Sequence, residues 1–77
     1  MKRKYLIDLR NGLKKSQQTI AECMNISQNY YSAIENGERQ KDMNLSLMEK
    51  ISDAFGLPLQ SIIDAETKYK DSKQTEV

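Results

Sequence analysis

Between residues 17 and 35, two short amphipathic segments are separated only by Asn25-Ile26-Ser27, and no other feature restricts the fold of this chain as strongly. Ile20, Ala21 and Met24 recur at helical spacing in the first segment, and Tyr31 and Ile34 in the second. Each segment is preceded by a serine, Ser16 or Ser27, whose hydroxyl can accept from the free amides of a first helical turn. Asn25 stands where the backbone must reverse, and asparagine tolerates the left-handed conformation better than most side chains. So short a link predicts helices over 17–24 and 28–35 that cross steeply, with small Ala21 at their closest approach and Ile26 turned inward beside it.

The flanking sequence adds helices but no strands. Over 5–13, Leu6, Leu9 and Leu13 fall on one helical face, with Asn11-Gly12 weakening the last turn. Asn36-Gly37 ends the third helix, and 38–42 reads as loop. Asn44 or Asp42 can cap a fourth helix in which Leu45, Met48, Ile51 and Phe55 make an inward stripe that Gly56 closes. Pro58 suits the first turn of a fifth helix, whose apolar face is Leu59, Ile62 and Ile63. Beyond it, 65–77 has few apolar side chains besides Ala65, Tyr69 and Val77. The expectation is an all-α, compact five-helix bundle over 1–64, then a polar tail over 65–77 that is flexible or briefly extends helix five and is dispensable for folding.

Composition removes several function classes. Cys23 is the only cysteine and there is no histidine, so neither an intramolecular disulfide nor a zinc set is available; Cys23 and Met24 read as core filling. No apolar run approaches a membrane span, and a cytoplasmic protein is expected. No phosphate-cradling glycine loop and no candidate catalytic acid pair occurs, which argues against an enzyme, and no cofactor is implied. The net charge is only +1, but it is segregated. Residues 1–15 hold six basic groups (Lys2, Arg3, Lys4, Arg10, Lys14, Lys15) against Asp8, whereas 16–64 hold three, Arg39, Lys41 and Lys50, against seven acids.

If Tyr31 and Ile34 face inward, the third helix presents Gln28, Asn29, Ser32 and Ala33 outward, with no acid among them. A helix face meant only for solvation would carry more lysine and glutamate. Side-chain amides can pair in two places with adenine, while serine and alanine fit close to a thymine methyl or a sugar.

The stretch SQQTIAECMNISQNYYSAIENGER resembles the Cro/CI-type (XRE-like) helix-turn-helix family, that of phage repressors and many small bacterial regulators. The likeness rests on Ser16-Gln17, Ile20-Ala21, Met24, Ile26-Ser27, Tyr31-Ser32, Ile34-Glu35, Gly37 and Arg39, and extends over about 4–64. It implies a five-helix bundle, binding to double-stranded DNA as a homodimer on a palindromic operator, and control of transcription. It places Gln28, Asn29, Ser32 and, more weakly, Ala33 at base edges. Gln17, Asn36 and Arg39 match backbone-contacting positions, Gln17 also being one that often braces the residue at 28; Ser27, Tyr30 and Lys41 complete the backbone set. Glu35 matches a structural glutamate that pairs with Arg10. Four positions depart from the pattern: Lys15 replaces an apolar residue, with Leu13 as the substitute cover; Asn25 replaces a turn glycine; Tyr31 is bulkier than usual; and the loop over 40–43 is longer. Leu57, Leu59, Ile62 and Ile63 offer more apolar surface than so small a bundle covers, which points to a dimer interface. A protein partner stays open as the alternative, with the same fold serving as an antitoxin or antirepressor.

Overall fold

A computed structural model of the chain describes residues 1–75, with side chains described through residue 72. Five helices follow in order: α1 (Lys4–Gly12), α2 (Gln17–Cys23), α3 (Gln28–Glu35), α4 (Leu45–Phe55) and α5 (Leu59–Thr75). Side-chain caps set three of the starts. Ser16 Oγ accepts from the Thr19 amide at 3.1 Å, Ser27 Oγ from the Tyr30 amide at 3.1 Å, and Asn44 Oδ1 from the Leu47 amide at 2.8 Å. Left-handed residues set three of the reversals: Asn25 at φ 57 between α2 and α3, Gly37 at φ 77 after α3, and Gly56 at φ 68 after α4. Pro58 lies one residue ahead of α5, its carbonyl accepting from the Ser61 amide at 3.0 Å.

The core is built from Leu6, Ile20, Ala21, Met24, Tyr31, Ile34, Met43, Leu47, Ile51, Phe55 and Ile62. On α4 the inward stripe is Leu47, Ile51 and Phe55, with Met48 at its margin, whereas Leu45 is 54% exposed. Leu45 lies about 200° round the helix from Leu47, so the two cannot share a face, and the four-residue steps from Leu47 keep to the core. Leu13 also departs from expectation. It sits at the C-cap of α1 and is exposed, and the chain reverses at the next residue, Lys14, with φ 56. Cys23, expected in the core, is exposed; Met24, one residue on, fills that place.

The largest difference is at the chain ends. The expected boundary after residue 64 falls inside α5, which continues to Thr75 and buries Glu66 and Tyr69. The stretch is polar, but Glu66 and Tyr69 are withdrawn from solvent because the N-terminal arm supplies their partners. The Arg3 guanidinium, fully buried, bonds both Glu66 carboxylate oxygens, at 2.9 and 3.0 Å. Tyr5 donates its hydroxyl to Glu66 Oε1 at 2.6 Å, and the Tyr69 hydroxyl donates to the Met1 carbonyl at 2.6 Å. The Arg3 guanidinium carbon lies 4.9 Å from the centroid of the Tyr69 ring, which in turn meets Tyr5 edge-on. Val77 lies outside the described residues. Among the described residues no helix is long and apolar enough to cross a membrane.

Candidate nucleic-acid interface

One buried carboxylate fastens α2 and α3 to α1. Glu35, the only acid of α3, is turned inward, where Arg10 Nε reaches its Oε2 at 2.7 Å and Arg10 Nη2 its Oε1 at 3.3 Å. Gln17, the first residue of α2, donates its side-chain amide to Glu35 Oε1 at 3.0 Å. Arg10 also donates to the Lys15 carbonyl at 3.1 Å, so a single guanidinium ties α1, the link to α2 and the end of α3 together. Burial alone would raise the Glu35 carboxyl above its usual range, but the hydrogen bonds, led by that from Arg10, outweigh burial and hold it below. The same contact raises Arg10. Tyr31, buried at the centre, has its phenol pushed up, first by burial and then by the neighbouring carboxylate.

With Glu35 withdrawn, the outer face of α3 carries no charge. Gln28 and Asn29 are exposed in its first turn, and Ser32 and Ala33 follow, partly exposed, four residues on along the same face. Ser27 uses one lone pair of its hydroxyl oxygen on the cap and keeps its hydroxyl proton. Asn36 caps the C-terminal end of α3, donating its backbone N–H to the Ser32 carbonyl at 2.9 Å.

Among the residues expected at the DNA backbone, the structure brings Tyr30 and Arg39 together. The Arg39 guanidinium stands over the Tyr30 ring at 5.6 Å from its centroid, so a loop residue beyond α3 lays its charge back against the first turn of that helix. Gln40 completes the group by donating its side-chain amide to the Tyr30 hydroxyl. Gln17, by contrast, braces Glu35 and not Gln28. Lys41 is exposed on the loop next to Gln40, which takes a left-handed φ of 57. Sequence reasoning did not pick out Gln40, nor Arg3, which looks like one more N-terminal cation until the fold buries it. Of the residues expected at a dimer interface, Leu57, Leu59 and Ile63 remain partly exposed, but Ile62 is 1% exposed and belongs to the core.

Residues 6–62 match the family described as Helix-turn-helix. No curated protein and no solved structure matches the chain. The match runs from Leu6 in α1 to Ile62 in α5 and so reaches into all five helices, not the central helix pair alone: the chain belongs to the Cro/CI-type, XRE-like helix-turn-helix family of DNA-binding transcription regulators.

Proposed function

We propose that the protein is a cytoplasmic repressor that binds a palindromic operator as a homodimer, with α3 in the major groove. Gln28, Asn29, Ser32 and Ala33 face the bases, while Gln17, Ser27, Tyr30, Asn36, Arg39 and Lys41 hold the phosphates and sugars. The observation that carries this reading is the inward turn of Glu35 onto Arg10 and Gln17, which leaves α3 an outer face free of negative charge, with the Arg39 cation held on the Tyr30 ring of the same helix. Such a face can approach base edges without repelling phosphates. The dimer contact is assigned to Leu57, Leu59 and Ile63, the members of the apolar set that the bundle leaves partly exposed.

Reading and gripping separate in one experiment. Gln28→Ala is expected to lower affinity for the preferred site by about 1–3 kcal/mol and relax preference at one or two base positions, leaving random DNA nearly unaffected. Arg39→Ala is expected to weaken all sequences alike and lower the slope of log K against log salt by about one. Titrations of both variants on selected and random duplexes over a salt series measure this. Identical site preferences and identical slopes for the two variants would remove α3 as the reading element. No salt-dependent binding by the wild type would turn the assignment to a protein partner.

A further inference from the structure

We propose that Arg3 is a positioning residue for DNA binding: from inside the protein it sets the orientation of the loop that carries Arg39. Arg3 can act this way only if Arg39 grips the DNA backbone, as proposed above.

A guanidinium has five N–H donors. In Arg3 every one of them is engaged. Nε and one Nη2 hydrogen go to Glu66, the other Nη2 hydrogen to the Gln40 carbonyl, and Nη1 to the carbonyls of Ile34 at 2.7 Å and Arg39 at 3.0 Å. Two of these acceptors are the consecutive carbonyls of residues 39 and 40, so the peptide planes following the Arg39 and Gln40 α-carbons are both aimed at one buried cation. That pins the backbone where Gln40 holds its left-handed φ, a conformation a residue with a β-carbon rarely keeps unaided. With the backbone set, the Gln40 side chain reaches the Tyr30 hydroxyl and the Arg39 guanidinium lies over the Tyr30 ring.

The same arm is fixed from both sides. The Arg3 amide donates to the Glu35 carbonyl at 2.7 Å, and Met1 packs so closely on Gly37 that a β-carbon there would lie 2.0 Å from the Met1 carbonyl oxygen. α5 closes the clasp through Glu66 and Tyr69. Arg3 is fully buried and all of its donors are engaged inside the protein, so an effect on the salt dependence of binding must pass through the loop. A purely structural role would change stability and leave that slope alone.

The test uses Arg3→Lys, which keeps one positive charge and a partner for Glu66 but has three donors on a point charge instead of a planar fork. Wild type, Arg39→Ala, Arg3→Lys and the double variant are each checked for helical content, then titrated with a random-sequence duplex over a salt series. Arg39→Ala lowers the slope by about one, equivalent to a loss of about eightfold at about 0.1 M salt. Arg3→Lys is expected to lower the slope nearly as far, and the double variant to bind no more weakly than Arg39→Ala. A folded Arg3→Lys variant with the wild-type slope, or a loss that adds in full to that of Arg39→Ala, overturns the role of Arg3 while leaving the DNA contact intact. No change of slope in Arg39→Ala overturns the backbone contact itself and the role of Arg3 with it. Should Arg3→Lys fail to fold, amide hydrogen exchange on the free wild-type protein decides: the Glu38 and Arg39 amides are expected to be protected at least a hundredfold before DNA is added, and exchange at the unprotected rate refutes a pre-set loop.

Discussion

Glu35 and Gly37 stand two residues apart and meet opposite physical demands. Glu35 must be ionised in a place that disfavours charge, and the donors from Arg10 and Gln17 make this possible. Its carboxyl is held below the usual value in the folded protein, so the unfolded chain binds the proton more readily, and the stability this group contributes is present above about pH 4.5 and lost as pH falls through that range and below. The urea midpoint of the wild type should therefore fall between about pH 5 and pH 3. Glu35→Gln should be less stable at pH 7 and show a flatter acid limb. Gly37 is constrained by space as well as by its φ of 77, because the nearest atoms to an added β-carbon are the Met1 carbonyl oxygen and the Tyr69 hydroxyl. A left-handed residue with a β-carbon loses about 1–2 kcal/mol, and displacing the arm adds to that, so Gly37→Ala should lose at least about 2 kcal/mol by denaturant unfolding.

α5 behaves differently from what its composition suggests. From Asp64 onward it is mostly charged and polar, yet Glu66 and Tyr69 face the N-terminal arm and are as buried as much of the core. A chain ending at Ala65 would leave Arg3 without its carboxylate. Breaking a buried pair by removing one partner loses about 3–5 kcal/mol, and for a domain of this size that lowers Tm by at least about 12 °C. Thermal melts followed by circular dichroism check this, and an unchanged Tm would show the arm to be unimportant for the fold. On the same helix, adjacent isoleucines separate packing from assembly. Ile62→Asp places a charge in the core and should abolish cooperative unfolding, whereas Ile63→Asp should leave the melt intact.

For the molecule as a whole, assembly and DNA geometry are linked. If Leu57, Leu59 and Ile63 pair across a twofold axis, two α3 helices must meet half-sites about one turn, roughly 34 Å, apart. Ile63→Asp is then expected to make the protein monomeric by sedimentation equilibrium and to remove cooperative binding to a palindrome while half-site affinity stays. A wild type that stays monomeric at high concentration would contradict this assembly. With a net charge of +1 the protein has little long-range pull on DNA, so under the proposed docking its grip comes from a few placed cations, among them Arg39, held on the Tyr30 ring of α3.

What the chain determined by itself was local. The five helices, the caps Ser16 and Ser27, and the reversals at Asn25, Gly37 and Gly56 all depend on a few neighbouring residues and appear in the structure where the sequence puts them, while of the two caps open to α4 it is Asn44 that is used. So does the polar outer face of α3, since a helix with Tyr31 and Ile34 inward leaves Gln28, Asn29, Ser32 and Ala33 outside. What only the tertiary structure decided depends on residues far apart in the chain. Arg3 and Glu66 look like solvated charges in sequence, and each is buried only because the other arrives. Which of Leu45 and Leu47 enters the core, whether Ile62 or Ile63 is free to pair, and where the Arg39 charge comes to rest are set by the rotation of α4 and α5 against the bundle and by a loop fastened to the N-terminal arm. A pattern of period 3.6 specifies an apolar arc but not its margins, and it carries no information about an ion pair that must fold before either partner can leave water.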